Sequence, residues 1–166
     1  MQFGLVGSEM CIRDREIPFN ELFVLELDSI KGDDTNGHVD NMVRFIDDEN
    51  LVYLASTDKS YVNYDLAKEL KNQLESIKKK SKIIKDIYPI FHDDRDTLYN
   101  DNKYYPYSKL NFIITSSCII FPSITNNDIS IIDSLNDLPI RKIKYNINCE
   151  ASLIECGGLH CLSMNI

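Results

Sequence analysis

The chain has 166 residues, 43% of them hydrophobic and 27% charged, and its 18 Lys and Arg against 26 Asp and Glu leave a formal net charge of -8. That length and composition fit one globular domain and exclude a disordered or collagen-like polymer. The acidity gives no electrostatic grip on nucleic acid or an anionic membrane and favours a small cationic ligand.

No apolar run approaches the roughly 18 residues that span a bilayer, and the N-terminus lacks the basic, apolar and small-residue sections of a secretion signal. Five cysteines, Cys11, Cys118, Cys149, Cys156 and Cys161, are an odd number at irregular spacings. They suit free thiols in a reducing compartment, so a cytoplasmic location is expected. Residues Met1 to Arg15 show neither helical nor alternating periodicity and resemble translated sequencing-adaptor strings, so they are set aside as a non-native scar. Their removal takes away Glu9, Asp14, Arg13 and Arg15, two of each sign, and leaves the net charge unchanged. The domain is then residues 16–166, and on this reading the gene product begins further upstream.

Leu22 to Leu27 is an apolar run of strand length, followed by a polar loop through Gly37. Met42 to Ile46 is a predicted strand, Asp47 to Asn50 a turn and Leu51 to Ala55 a second strand. From Tyr61 to Lys80, Leu66, Leu70, Leu74 and Ile77 recur at helical steps, and Lys78, Lys79 and Lys80 complement the helix C-terminus. Ile83 to Ile90 is a third strand. After a tyrosine-rich connection from Phe91 to Lys109, the order returns: strand Leu110 to Thr115, turn at Ser116, strand Cys118 to Pro122, helix Asn126 to Leu138, strand Arg141 to Ile147. Phe45-Ile46 and Phe112-Ile113 stand in matching places. The fold class is therefore α+β, built from two β-β-α-β units that cannot each bury both faces alone.

Gly37-His38-Val39-Asp40 precedes the first unit and Gly157-Gly158-Leu159-His160-Cys161 follows the second. Loops at corresponding ends of repeats converge, which places His38, Asp40 and Cys161 in one candidate site. A thiolate is a strong nucleophile, and a histidine beside it can carry the proton. In an extended segment His38 and Asp40 point to one side while His160 and Cys161 point to opposite sides, so His38 is the expected partner of Cys161. Cys118 and Cys149 are read as small buried apolar residues. Cys149, Cys156, His160 and Cys161 contain no C-x-x-C pair, so no metal site is expected. His92-Asp-Asp-Arg-Asp96 reads as a solvated loop. On these residues alone a thiol amidase or protease and a non-catalytic binding module remain open.

Gly32-Asp-Asp-Thr-Asn-Gly-His-Val-Asp40, continuing into Asn41-Met-Val-Arg-Phe45, resembles the central motif of the agmatine deiminase family. Gly157-Gly158-Leu159-His160-Cys161-Leu162-Ser163 resembles its C-terminal motif, and Tyr107-Ser-Lys-Leu-Asn-Phe112 is similar to its tyrosine-asparagine-phenylalanine stretch. The resemblance covers Glu16 to Ile166. It implies a pentein-type propeller of five β-β-α-β units, about half of it in this chain, and hydrolysis of agmatine or, in a close relative, of peptidyl arginine. It makes Cys161 the nucleophile, His38 the general acid/base and Asp40 the partner of the guanidinium, with Asp34, Asp40 and Gly158 binding substrate. It implies no metal or organic cofactor, no nucleic-acid or membrane partner, and is compatible with a homo-oligomer. Two departures stand out: Gly158 replaces a usual asparagine, and Ser163-Met164-Asn165 replaces a Thr-Gln-Gln-like ending. The aspartate and glutamate that complete the cation site would lie upstream of this chain, so the fragment alone is expected to be inactive.

Overall fold

The computed structural model describes residues 21–33, 38–125, 138, 141–155 and 157–163. A 3-10 turn at Val39–Asn41 leads into strand β1 (Val43–Phe45), β2 (Asn50–Ala55), helix α1 (Tyr64–Lys80) and β3 (Asp86–Phe91). A 3-10 turn at Asp94–Asp96 and a hairpin of β4 (Leu98–Asn100) and β5 (Lys103–Tyr105) follow. Then come β6 (Ile113–Ile114), β7 (Cys118–Ser123), β8 (Ile143–Asn148) and the short α2 (Glu150–Ile154). The result is a mixed α/β fold with small sheets.

The expected repetition is present in the sheets. In the first, β2 pairs antiparallel with β1 and parallel with β3; in the second, β7 pairs antiparallel with β6 and parallel with β8. Leu51 and Ile119 hold the same place in the two middle strands, and they face Phe45 and Ile114. Ile114, not Phe112, is thus the counterpart of Phe45. The helix predicted at 126–138 lies outside the described residues except for buried Leu138.

Helix α1 buries Ala67, Leu70 and Leu74, with Leu66 and Ile77 packed beside them, as the apolar spacing requires. It starts at Tyr64 and not Tyr61: two turns precede it, with Tyr61 N–H bonded to the Asp58 carbonyl and Tyr64 N–H to that of Tyr61, and the Asn63 side chain at the N-cap accepts from the Lys31 amide at 2.7 Å. Leu22 to Leu27 is not a strand. The Gln73 side chain on α1 satisfies both the N–H (3.0 Å) and the C=O (2.8 Å) of Glu26, so this segment is pinned to a helix with Leu25 buried under it. Phe112 and Phe121, ring centroids 5.1 Å apart, join Leu110 and Ile119 to Val52, Leu54, Leu70 and Ile90 in a single core. Both sheets share it. A second cluster of Leu98, Tyr107, Cys149 and Leu153, with Leu159 packed against it, anchors α2 and the loop after it.

The run from His92 to Asp96 is not a solvated loop, since His92 and Asp96 are buried. Lys109 Nζ lies 2.6 Å from Asp96 Oδ2 and 3.0 Å from the Phe91 carbonyl, and Asp96 closes a reciprocal cap with Asp93. His92 sits between two main-chain groups: Nδ1 faces the Ile90 carbonyl at 3.0 Å, and Nε2 accepts the Lys109 amide at 3.0 Å. Those contacts fit the neutral ring with its proton on Nδ1. Burial, and then the Lys109 charge, push the imidazole down to about 3. Between that value and the ordinary 6.5 or so of an unfolded histidine, the unfolded chain binds a proton that the native state refuses. Stability is therefore expected to fall as pH drops from 6.5 to 5, with a slope approaching about 1.4 kcal/mol per pH unit from this group. Urea unfolding at pH 7, 6 and 5 measures it, and His92→Gln is expected to flatten the slope; an unchanged slope would refute the assignment.

Candidate active site

The sequence-predicted residues arrive from opposite ends of the chain. Asp40 stands in the 3-10 turn at Val39–Asn41, immediately before β1, and Cys161 in the turn after α2. One carboxylate oxygen, Asp40 Oδ2, gathers the site. His160 Nδ1 lies 2.8 Å from it, Cys161 Sγ 3.6 Å and Asn111 Nδ2 3.0 Å. With Asp40 ionised, the imidazole N–H, the thiol and the amide all donate to the same atom.

The expected separation of His160 from Cys161 does not hold. Residues 159–162 form a turn and not an extended strand, so alternation does not apply and both side chains converge on Asp40. His38 precedes the 3-10 turn with 45% of its side chain exposed; its amide donates to Asp33 Oδ2 at 2.9 Å and its Nδ1 lies 3.9 Å from Asp33 Oδ1. Among the described residues, Asp33 is thus an acidic neighbour of the His38 ring. Asp34 and Cys156 lie outside the described residues. Cys149 is buried, donating to the Ile147 carbonyl at 3.4 Å, and Cys118 is half-buried against Thr115 Oγ1 at 3.2 Å.

Cys161 is the exposed thiol among these three. Partial desolvation and then the Asp40 charge hold it above the usual thiol range, while hydrogen bonds from Asn111 and the Gly158 backbone work the other way. The resting group is the thiol. Nearby Arg44 supplies the opposite charge: it is half-buried, and its Nη1 donates to the Leu110 and Phe112 carbonyls. Burial lowers its affinity for protons, and the charge of Asp40 and Cys161 restores part of it. Its guanidinium lies 4.5 Å over the Phe112 ring.

Sequence reasoning missed Asn111 and Arg44 as site residues. Both stand inside stretches used only for likeness, and their contacts are tertiary. The predicted strand Leu110 to Thr115 shrinks to Ile113–Ile114 for the same reason: the carbonyls of Leu110 and Phe112 bind Arg44, and that of Asn111 accepts the His160 amide at 3.2 Å. Gly158 fits against this residue so closely that a Cβ there would stand 2.4 Å from Asn111 Oδ1. Among the described residues no group of three or more His, Cys, Asp or Glu is placed to hold a metal, and no helix is long and apolar enough to cross a membrane.

Solved structures share this fold. One assigned as a peptidyl-arginine deiminase aligns with a TM-score of 0.73 at 26% identity, covering 84% of this chain and 42% of its own. A Cys-to-Ser form of C. jejuni agmatine deiminase with substrate bound aligns at 0.68 and 24%, covering 82% and 39%. The structure assigned as an arginine deiminase from Porphyromonas gingivalis aligns at 0.75 and 22%, covering 93% and 45%. The chain thus spans less than half the length of each. No curated protein matches it significantly. The sequence model of the Porphyromonas-type peptidyl-arginine deiminases matches residues 15–166, and the chain belongs to that family.

Proposed function

We propose that this chain is the nucleophile-bearing part of a guanidine hydrolase acting on agmatine, giving N-carbamoylputrescine and ammonia in putrescine biosynthesis in the cytoplasm. The observation that carries the reading is the convergence of Cys161, His160 and Asn111 on Asp40 Oδ2 across the whole length of the chain. A carboxylate is what a planar guanidinium cation needs, and a thiol beside it is within reach of the guanidinium carbon.

The chemistry follows in two balanced steps. The Cys161 sulfur, as thiolate, forms a bond to the guanidinium carbon; one nitrogen takes a proton and leaves as ammonia, giving an amidino-thioether on Cys161. Water then adds to that carbon, the carbon–sulfur bond breaks, and the ureido product departs as the thiol is restored. Burial and then the Asp40 charge raise the resting thiol above its usual range, so the cation itself, lying between thiol and carboxylate, favours ionisation of the sulfur. His38 is assigned the proton transfer by its place in the motif, with a solvent-accessible ring; His160 holds Asp40 in position. No organic cofactor takes part in these steps.

The two sheets of like strand order are read as two units of a five-unit propeller, and the extent of the matched structures supports this. Residues 1–15 are read as non-native. The activity belongs to the longer protein, in which further carboxylates complete the cation site, and the isolated chain is expected to be inactive.

The family match favours a second reading, hydrolysis of peptidyl arginine. The two are separated by supplying each substrate to the longer protein and measuring ureido product. Agmatine is expected to turn over with kcat/KM at least about tenfold above a blocked arginyl peptide; the reverse order would install the peptide reading, and ureido formation from neither would reject both.

A further inference from the structure

The hydrolase reading leaves unexplained why a neutral amide is buried at its centre. Asn111 is 2% exposed. Its Nδ2 carries two hydrogens and lies within reach of three acceptors, Asp40 Oδ2 at 3.0 Å, Asn41 Oδ1 at 3.0 Å and Cys161 Sγ at 3.7 Å. Its Oδ1 accepts the His160 amide at 2.7 Å. One side chain therefore ties the turn that carries Asp40 to the turn that carries Cys161. The peptide it projects from is fixed as well, because Arg44 Nη1 bonds the carbonyls on either side, Leu110 and Phe112. The wall opposite is Gly158, where any Cβ would displace the amide.

We propose that Asn111 is a positioning residue that sets Cys161 against Asp40 and transfers one of its N–H donors to the sulfur when the thiol ionises. In the resting site its two hydrogens favour the two oxygens at 3.0 Å, and the sulfur takes the longer third contact. A thiolate accepts more strongly than a thiol, so the shared donor shifts toward it with no movement of the main chain. The charged and titratable groups near the sulfur are Asp40 from the 3-10 turn, Arg44 from β1 and His160 from its own loop. Asp40 opposes ionisation and Arg44 favours it. Asn111 adds a neutral donor that favours it without cancelling the negative charge a cation needs.

The inference rests on Cys161 as the reactive thiol and not on the identity of the substrate. Iodoacetamide alkylation of Cys161, followed by peptide mass spectrometry across pH 6 to 10 in the full chain, tests it, with unfolding midpoints recorded in parallel. Asn111→Leu keeps the shape but removes the donor without adding a charge; alkylation at pH 8 is expected to slow about tenfold and its midpoint to move to higher pH. Gly158→Ala, which pushes the amide aside, is expected to slow it in the same direction, with Cys118 unaffected in both. Wild-type profiles in folded variants would overturn the proposal, as would a slowing shared equally by Cys118. If Asn111→Leu fails to fold, Gly158→Ala and Asn111→Ala decide. Because alkylation needs no guanidine, failure here and failure of the agmatine assay are separate results.

Discussion

Cys161→Ser in the longer enzyme is expected to reduce ureido formation by at least about a thousandfold, with folding and guanidine binding retained. The hydroxyl is of similar size and stands where the sulfur stands, 3.6 Å from Asp40 Oδ2. It lacks the sulfur's capacity to ionise and to carry the amidino group. Steady-state assay of both proteins at saturating substrate gives the ratio. Intact mass after rapid acid quench gives an independent check, since the wild type is expected to carry an amidino adduct on the peptide containing Cys161 and the variant none. A serine variant that turns over at a tenth of the wild-type rate would end the nucleophile assignment. Asp40, Asn111 and His160 would then have to be read as a binding site alone.

The largest stability effect is expected at the buried ion pair. Lys109→Met leaves Asp96 buried without its cation, and breaking one side of such a pair costs about 3–5 kcal/mol. Urea or thermal unfolding at pH 7 measures it. The sign with pH is also determined. Burial already raises the Asp96 carboxyl above its ordinary value and Lys109 lowers it again, so loss of Lys109 raises it further. A group with a raised native value binds more protons folded than unfolded, which means that the deficit of the variant shrinks as pH falls toward the carboxylate range. Adding Asp96→Asn is expected to recover a substantial part of the loss. A deficit below about 1 kcal/mol would show that the pair contributes nothing beyond packing.

Much of this architecture was legible before any coordinates. The apolar positions Leu66, Leu70, Leu74 and Ile77 marked the inner face of α1, and the alternation of short apolar runs with turns located six of the strands within a few residues. Those signals are local and periodic. Asp40 and Cys161 were legible as a pair because they flank the repeated units. What escaped is whatever depends on where a polar group finds its partner. Leu22 to Leu27 has the composition of a strand, yet the Gln73 side chain and not a neighbouring strand takes up the N–H and C=O of Glu26 within it. His92 and Asp96 look like loop polarity, yet Lys109, thirteen residues beyond Asp96, takes both inside. His160 was set aside by an alternation rule that holds only for extended chain. Asn111 carried no signal of its own, since one asparagine between two apolar residues resembles any other.

The bond between His160 and Asp40 spans 120 positions of sequence, and that of Asn111 with the same oxygen spans 71. By contrast β1 and β2 meet across a turn, and so do β6 and β7. Loop-closure entropy grows with the logarithm of the separation, so the contacts that define the site are, among the described residues, costly ones to close, and they are held by side chains and a few loop amides. The order of assembly follows: each sheet can form from neighbours, the shared core of Phe112 and Phe121 must then bring the sheets together, and only after that can a carboxylate from one end meet a thiol from the other. Chemical competence is thus the last property the chain acquires, because until the core closes the thiol has no carboxylate beside it to hold a guanidinium cation.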